Sequence, residues 1–322
     1  MKPLDHNLKP DGSALSGLIL IDKPQGPTSH EVALRVRKLG RSISAGHTGT
    51  LDPMATGLLL LLVGKSTKLA PFLSSADKTY LATIRLGLLT DTLDLTGQTL
   101  SEYDGPYPSS EEVQEALDKL TGPVWQMPPI FSAIKVKGKT AHKAARAGKK
   151  IDLPARQVMA QALKLIDYQP PLVSISAHVG KGYYIRSLAR DLGQALGLGG
   201  GSLSQLRRLS VGSFSLAEAG PIPETFLELQ NRLVSPRLAV NHLPELESSW
   251  EELVAIGRGQ SLPWPQNPPG LYKLISPDGL LAAIGEIVEK APTIEKNLFS
   301  PEGPFLRPLR VFMPAQGAKI TL

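Results

Sequence analysis

Strand-like and helix-like segments follow one another in this 322-residue chain without a regular alternation. A strict strand–helix alternation builds a parallel sheet, whereas a mixed order favours an α+β fold around a mostly antiparallel sheet. We therefore predict an α+β domain from residue 15 to residue 244. Residues 1–14 are polar and contain proline, so we expect them to form a flexible tail.

Local signals predict several elements of this domain. Residues 16–24 (SGLILIDKP) are typical of a buried strand that ends at a proline. Thr28 and Glu31 have the spacing of a capping box, which predicts that a helix begins there. Further strands are predicted at 79–87 and 171–180, and further helices after the capping pair Ser109 and Glu112 and over 187–197.

The pattern changes after Pro244. Residues 250–259 predict a short helix, residues 271–287 predict two strands around a Pro-Asp-Gly turn, and residues 305–312 predict a last strand. We therefore expect a second, small and β-rich domain over 245–322.

Composition excludes several classes of site. The chain has no cysteine, which rules out disulfides, thiolate nucleophiles and iron–sulfur clusters. Its six histidines show no metal-binding spacing, and GKST at 64–67 lacks the glycine that a phosphate-binding loop needs at position 59. The apolar run 58–63 is far shorter than the roughly 20 residues of a membrane span. The N-terminus has no signal-peptide pattern, so we expect a cytoplasmic protein. Because no GxGxxG motif follows a strand to hold a dinucleotide, and the metal and phosphate-loop patterns are also missing, we expect chemistry without a cofactor, or none.

Positive charge is concentrated in one segment. Between Lys135 and Arg156 there are eight basic residues and one acidic residue, a net charge of +7, whereas the whole chain carries +6. Such a segment suits a surface that binds a polyanion, and it is also compatible with a solvated lysine-rich loop.

The stretch GHTGTLDPMATG, residues 46–57, allows two interpretations of its aspartate. Proline disfavours helical geometry in the residue before it and suits the first helical position. Asp52 can therefore be an N-cap, with Pro53 at the first position and a helix that begins at Met54. An aspartate held rigidly at such a junction can equally be a catalytic carboxylate.

Two further junctions carry side chains that are capable of chemistry. Tyr80 lies at the start of a predicted strand, and Tyr184 and Arg186 lie where a strand gives way to a helix. With Asp52, these residues could converge on one pocket. Each also has a plain structural interpretation: Tyr80 as a half-buried strand aromatic, and Arg186 as an ordinary residue of a first helical turn.

Long motifs along the chain resemble the TruB family of tRNA pseudouridine synthases. In order, they are IDKPQGPTS, GHTGTLDPMATG, DKTYLATIRLG, QMPPIFSAIKVKGKTAHKAARAG and GKGYYIRSLARDLG. GRGQSL, GLYKLISPDGLLAAIGE and LRPLRVF resemble that family's C-terminal PUA-type module. The resemblance implies the pseudouridine synthase fold, with a mixed, mostly antiparallel central sheet flanked by helices. It also implies a basic thumb insertion at about 126–156 and a PUA-like RNA-binding domain at 245–322.

The resemblance also implies roles for single residues. Asp52 would be the catalytic carboxylate, Tyr80 would stack on the target base and take part in proton transfer, and Arg186 would pair with Asp52. Three other residues of the site would contact or support the substrate: Lys23, His47 and Tyr184. The thumb residues expected to contact RNA phosphates are Lys135, Lys137, Lys139, Lys143 and Arg146.

The implied reaction converts the uridine at position 55, in the T-loop of tRNA, to its C-glycoside isomer. It needs no redox change and no net hydrolysis, so the resemblance implies no cofactor. We expect a monomer that acts on free tRNA, without a membrane or a protein partner.

Two other functions remain open at this point. The same surface could serve a non-catalytic RNA-binding or tRNA-folding protein, and a tRNA-folding role can coexist with catalysis. The chain could also be a guide-dependent synthase within a ribonucleoprotein, although the guide-dependent relatives lack the thumb.

Overall fold

The structure, a computed structural model, describes residues 15–132, 153–289 and 303–312, together with two short strands at 135–136 and 139–140. The predicted tail at 1–14 and the basic residues Lys137, Lys143 and Arg146 lie outside the described residues. Lys135 and Lys139 lie in the two short strands, which pair antiparallel with each other.

The described chain contains short helices and a larger number of strands. The helices are α1 (Ser29–Leu39), α2 (Ala70–Ser74), α3 (Ser110–Lys119), α4 (Ile185–Ala195), α5 (Phe226–Asn231), α6 (Pro236–Ala239) and α7 (Trp250–Gly257), with 3-10 turns at Gly64–Leu69 and Leu216–Glu218. The strands of the first part are β1 (Gly17–Lys23), β2 (Ala45–His47), β3 (Thr56–Val63), β4 (Lys78–Leu86), β5 (Leu88–Thr90), β6 (Thr99–Glu102), β7 (Gly122–Gln126), β8 (Lys135–Val136), β9 (Lys139–Thr140), β10 (Arg156–Gln169), β11 (Leu172–Val179), β12 (Gly201–Val211) and β13 (Phe214–Ser215). The strands of the second part are β14 (Glu245–Glu247), β15 (Leu262–Pro263), β16 (Gly270–Ile275), β17 (Leu281–Val288) and β18 (Phe305–Val311).

One large sheet organises the first part of the chain. Its path is β1-β3-β12-β4-β11-β10-β7, with β2 paired to β3 and β13 paired to β12. Within this sheet β12 and β3 run parallel, and the other paired neighbours run antiparallel. The predicted α+β fold with a mixed, mostly antiparallel sheet is confirmed.

The leucine run at 58–63 forms the inner strand β3, and the predicted helix from Met54 is wrong. Leu59 and Leu61 pack into a core with α1, α3 and α4, whereas Leu58, Leu60 and Leu62 pack into a second core on the opposite face. A strand buried on both faces is apolar at every position, which hides the alternation that marks a half-buried strand. Asp52 and Pro53 begin a turn, not a helix.

The helix starts predicted from capping boxes are confirmed. In α1 and in α3 the N-cap side chain accepts a hydrogen bond from the N3 amide, and the N3 glutamate accepts one from the N-cap amide. Helix α4 begins at Ile185, two residues before the predicted start, and it packs on β12 and β4. The helix therefore lies against the centre of the large sheet.

The C-terminal strands form a sheet of their own, in the order β14-β16-β17-β18-β15, and α7 lies where the short helix was predicted. This sheet has its own core, and Ile275, Leu281, Ile284 and Phe312 extend the second core of the large sheet. The ammonium of Lys68 donates to the carbonyl of Val311 across the same contact (2.7 Å). The domain boundary at 244 and the PUA-like character of the module stay predictions.

No helix in the described ranges combines the length and the apolar character that crossing a bilayer requires.

Candidate active site

Asp52 lies in a tight turn just before β3. The Ala55 amide donates to the Asp52 carbonyl (3.1 Å), with Pro53 at the second position, where its fixed φ suits a turn. Ser29 of α1 holds the residue before it: the Leu51 amide donates to Ser29 Oγ (2.8 Å), which donates to the Leu51 carbonyl (3.0 Å). The backbone that carries the carboxylate is therefore fixed on both sides.

Arg186, in the first turn of α4, pairs with Asp52 at two points. Its Nε lies 2.9 Å from Asp52 Oδ2, and its Nη2 donates to Oδ1 at 3.3 Å. The same guanidinium donates to the carbonyls of Thr92 (3.0 Å) and Phe131 (2.9 Å). Because Arg186 is only 6% exposed, these contacts fix its position. The predicted pair is present, and its catalytic role stays a prediction.

Opposing effects act on the ionisation of Asp52. Burial raises the pKa of its carboxyl above the ordinary value and Asp94 adds to the rise, whereas Arg186 and Lys23 oppose it. An adjacent guanidinium favours the ionised form of a desolvated carboxyl. The side chain keeps 31% of its surface exposed, so a ligand can reach it.

Lys23, at the end of β1, lies under the Asp52 turn. Its side chain is fully buried, and its ammonium donates to the carbonyls of Pro24 (2.9 Å) and Pro53 (3.4 Å). Burial, with a smaller contribution from Arg208, lowers the pKa of Lys23 to about 8 against the opposing effect of Asp52. Lys23 thus supports the turn from below, whereas direct contact with substrate stays a prediction.

Tyr80 lies on β4, in the middle of the large sheet. It pairs with Ala177 on one side and with Arg208 on the other, and it is 8% exposed. Leu51, Tyr80 and Ile185 belong to one buried cluster. The chain segments that carry Asp52, Tyr80 and Arg186 therefore meet around a common core.

Tyr184 is the N-cap residue of α4, and a glutamine holds its backbone. Gln126, at the end of β7, donates from Nε2 to the Tyr184 carbonyl (3.1 Å) and accepts from the Tyr184 amide at Oε1 (2.8 Å). Burial raises the pKa of the Tyr184 phenol, while Ser132, Arg156 and Arg186 oppose the rise. Tyr184 therefore lies in the electrostatic surroundings of the Asp52–Arg186 pair.

Gln126 was not identified from the sequence, although it opens the QMPP motif. Its only local signal is a glutamine at the end of a short strand-like segment, and its partner lies 58 residues away. Ser187 Oγ (2.8 Å) and Arg190 Nη2 (3.1 Å) both donate to the carbonyl of Met127. The start of the predicted thumb is thus hydrogen-bonded to α4.

His47 lies on β2, next to β3. Its Nδ1 is buried and makes no hydrogen bond within the part of the chain that the structure describes. Burial lowers the pKa of His47, and the positive charges of Arg208 and His30 lower it further. A neutral ring is therefore favoured, which suits contact with a base better than an ion pair with a phosphate.

Among the described residues, no three His, Asp or Glu side chains are grouped as a metal site would require. What the site offers is a rigid carboxylate with a paired guanidinium, two tyrosines and a buried lysine. The carboxylate of Asp52 can therefore act as a nucleophile or as a base, and its position does not depend on the arrival of the substrate.

The sequence matches a known family. Residues 37–185 match the sequence model of the TruB family pseudouridylate synthases, N-terminal domain. A tRNA pseudouridine synthase B from Haemophilus influenzae (strain PittEE) is 37% identical over 283 residues, which are 85% of this chain and 92% of the relative. A protein of the same name from a Synechococcus strain is 40% identical over 281 residues, 84% of this chain and 94% of the relative.

The fold is also similar to that of solved structures. A chain from a crystal structure of a Cbf5-Nop10-Gar1 complex superposes with a TM-score of 0.68 and 25% sequence identity. The superposition covers 93% of this chain and 85% of that chain. The similarity thus extends over both the large sheet and the C-terminal strands.

Proposed function

This chain belongs to the TruB family of pseudouridine synthases, and we propose that it converts uridine 55 in the T-loop of tRNA to pseudouridine with Asp52 as the catalytic carboxylate. The named relatives make it a tRNA pseudouridine synthase, an isomerase. The position of the uridine, the role of each residue and the extrusion of the base are the parts that we propose.

The two-point ion pair between Asp52 and Arg186 is the observation that carries the proposal. A structural N-cap would accept hydrogen bonds from the amides of its own helix, but no helix begins at Asp52. The carboxylate is instead paired with a buried guanidinium from a distant segment, and it keeps an exposed side. This arrangement holds an ionised oxygen ready for a ligand.

The chemistry matches this arrangement. The C1′–N1 bond breaks, the uracil turns, and a bond forms between C1′ and C5. C5 loses its proton and N1 gains one, so the atoms balance without a further reactant. Asp52 can attack the sugar or the base, or can remove a proton from C2′, and each of these routes needs the ionised carboxylate.

The remaining residues have roles that fit their positions. Tyr80 provides a ring for the detached uracil, where stacking contributes about 1–3 kcal/mol per base. Since the target base lies within a folded RNA loop, the enzyme has to extrude it. Tyr184 and His47 would line the space that the extruded nucleotides enter, and Lys23 would hold the Asp52 turn.

The basic segment would position the RNA. Phosphate contacts from Lys135, Lys137, Lys139, Lys143 and Arg146 would fix the T-arm without reading its sequence. The hydrogen bonds from α4 to Met127 and Phe131 support this role, because they join the start of the thumb to the helix that carries Arg186. The C-terminal module would contact the tRNA on its acceptor-stem side.

The direct experiment is to map pseudouridine in an unmodified tRNA transcript incubated with the purified chain alone. We expect one modified uridine, at position 55. Tritium release from C5-labelled uridine gives the rate, and a pure RNA-binding or RNA-folding protein would release none. Pseudouridine at another position would contradict the assignment of the substrate.

A second candidate is a synthase that acts only within a protein assembly. The solved relative comes from a complex of several proteins, which favours this possibility. The basic segment of this chain argues against the second candidate, because this segment would contact the RNA without a partner protein. Activity of the purified chain on bare tRNA would exclude the second candidate.

A further inference from the structure

Arg208 of β12 is a buried cation beside the proposed active site. Its side chain is 1% exposed, and its Nε and Nη2 donate to the carbonyls of Leu58 (2.6 Å) and Gly49 (3.2 Å). Among the described residues, Arg208 forms no ion pair with a carboxylate, and its Nη1 donates to no acceptor. A buried charge without a counterion is costly, so an anion that can reach Nη1 would be bound favourably.

The side chains of Lys78 and Arg208 both lie beside Gly49. The two side chains project from the same face of the sheet, because Lys78 is two residues before Tyr80 and Tyr80 pairs directly with Arg208. A Cβ atom added to Gly49 would lie 3.5 Å from Arg208 Nη1 and 3.6 Å from Lys78 Cε. The missing side chain of Gly49 therefore leaves a space that two cationic side chains border.

The charged groups that act on Lys78 are two cations, Arg208 and Lys181, and one carboxylate, Asp77. Lys78 uses two donors on the carbonyls of Ser74 (3.3 Å) and Ala76 (2.6 Å), and a third remains for a ligand. Burial, together with Arg208 and Lys181, lowers the pKa of Lys78 to about 8 against the opposing effect of Asp77. The acidic side chain of Asp52 is already paired with Arg186.

We propose that Gly49, Lys78 and Arg208 form a cradle for one phosphodiester group of the substrate RNA, next to the nucleotide that meets Asp52. The proposal rests on the function proposed above and adds a phosphate site to it. Gly49 lies three residues before Asp52, and Arg208 is the cross-strand neighbour of Tyr80, so the cradle adjoins both groups. An extruded nucleotide has to carry its flanking phosphates with it, and this cradle would hold one of them.

The test is equilibrium binding of the full chain to an unmodified tRNA transcript over a range of salt concentrations. Gly49→Ala fills the space at distances that are ordinary van der Waals contacts, so the fold tolerates it. Lys78→Gln removes one of the two charges. Each variant should raise Kd about tenfold, because a charge-assisted hydrogen bond is lost. Each should also reduce the slope of log K against log salt by about 0.7–0.9, the value of one phosphate contact.

Two matched variants serve as controls. Gly46→Ala lies in the same motif, and its added Cβ would meet nothing within 4 Å. Lys119→Gln removes an exposed lysine at the end of α3. Both should bind tRNA with the Kd and salt slope of the unchanged protein. If Gly49→Ala and Lys78→Gln also bind in this way, the cradle is excluded.

A chemically altered RNA locates the phosphate. Single methylphosphonate linkages in a T-arm stem-loop remove one charge at a time. The unchanged protein should lose affinity at one linkage beside the target uridine, and Lys78→Gln should lose less affinity at that linkage, because only Arg208 then interacts with the phosphate charge. Equal sensitivity of both proteins at every linkage would overturn the proposal. If the unchanged chain binds tRNA but forms no pseudouridine, the proposed function fails, and the binding results still decide the cradle.

Discussion

Arg186 holds the Asp52 carboxylate at both oxygens, across 134 residues of sequence, through contacts of 2.9 Å and 3.3 Å. The same guanidinium also holds the carbonyls of Thr92 and Phe131. One side chain thus fixes the carboxylate relative to a loop and to the start of the thumb. This geometry depends on the planar guanidinium, because a lysine ammonium cannot make two parallel contacts.

Arg186→Lys should therefore lower kcat by about 10²–10³-fold, the effect of losing one preorganised polar contact at a reacting centre. Kd for tRNA should change little, since the basic surfaces remain. The matched control is Arg85→Lys, which alters an exposed ion pair with Glu102 (2.6 Å) and should keep full activity. The rate of tritium release at saturating tRNA gives kcat for both variants. Unchanged kcat in Arg186→Lys would show that the paired geometry is not needed.

The pH dependence of kcat should show the effect of Arg186 on the pKa of Asp52. Burial raises the pKa of Asp52 and Arg186 opposes the rise, so a neutral residue at 186 should raise that pKa further. The ionised carboxylate is the active form, and activity falls as pH drops through its pKa. In Arg186→Met the acid limb of kcat should therefore move to higher pH than in the unchanged protein. A limb that stays in place or moves to lower pH would contradict this assignment.

The two capping boxes and the C-terminal strand pair could be predicted from sequence because their signals are local. Thr28 and Glu31 satisfy each other within four residues, whatever the rest of the chain does. The Asp-Pro pair was ambiguous for a physical reason: proline after aspartate suits a turn as well as a helix start. The leucines that follow Asp52 pair with β1 along their whole length, so they form a strand and the Asp-Pro pair begins a turn.

The buried polar residues of the site could not be predicted from the local sequence. Lys23 is buried because the Asp52 turn, 30 residues further along the chain, covers it, and Arg208 is buried through contacts 150 residues away. Gly57 shows the same dependence on distant segments: it has a φ of +99°, and a Cβ there would collide with the Arg208 backbone. The resemblance identified Asp52, Tyr80 and Arg186 as a set, whereas Gln126 became visible only in the structure.

Gln126 should act as a positioning residue for Tyr184. Gln126→Leu removes both hydrogen bonds to the Tyr184 backbone and leaves the Tyr184 amide without its acceptor, which costs about 1–3 kcal/mol of local stability. The Tyr184 carbonyl still accepts from the Leu188 amide (3.1 Å). We expect kcat to fall about tenfold or more, with Kd for tRNA nearly unchanged.

The control for Gln126 is Gln157→Leu, at an exposed position on the neighbouring strand β10, where Gln157 pairs with Trp125. Gln157→Leu should have the kcat and the Kd for tRNA of the unchanged protein. Gln126→Glu retains the acceptor for the Tyr184 amide but loses the donor, so it should lie between Gln126→Leu and the unchanged protein. A selective loss of binding affinity in Gln126→Leu would contradict a positioning role.

The C-terminal module should lose stability in acid through Glu245. Hydrogen bonds from Arg237, with help from Lys273, hold the pKa of Glu245 at about 2, below its ordinary value of 4.5. A lowered pKa means that the ionised carboxylate stabilises the folded state. This contribution is complete above about pH 4.5 and is lost as pH falls toward 2.

Glu245→Gln should therefore lower the free energy of unfolding at pH 7 by about 1 kcal/mol, and the difference should shrink below pH 4.5. Glu247→Gln changes an exposed residue of the same strand that forms no ion pair within the described ranges, so it should have little effect at either pH. Denaturant unfolding at pH 7 and pH 3 makes the comparison. A destabilisation of equal size at both pH values would show that the charge of Glu245 is not the cause.

The most direct measurement is pseudouridine formation by Asp52→Asn in a tRNA transcript, followed by tritium release and by mapping. Asparagine keeps the size of the side chain and can still accept a hydrogen bond from Arg186, but it cannot act as a nucleophile or a base. We expect no detectable product, with tRNA bound as tightly as by the unchanged protein, and full activity in Asp104→Asn, an exposed control. Pseudouridine formed by Asp52→Asn at the rate of the unchanged protein would contradict the role assigned to this carboxylate.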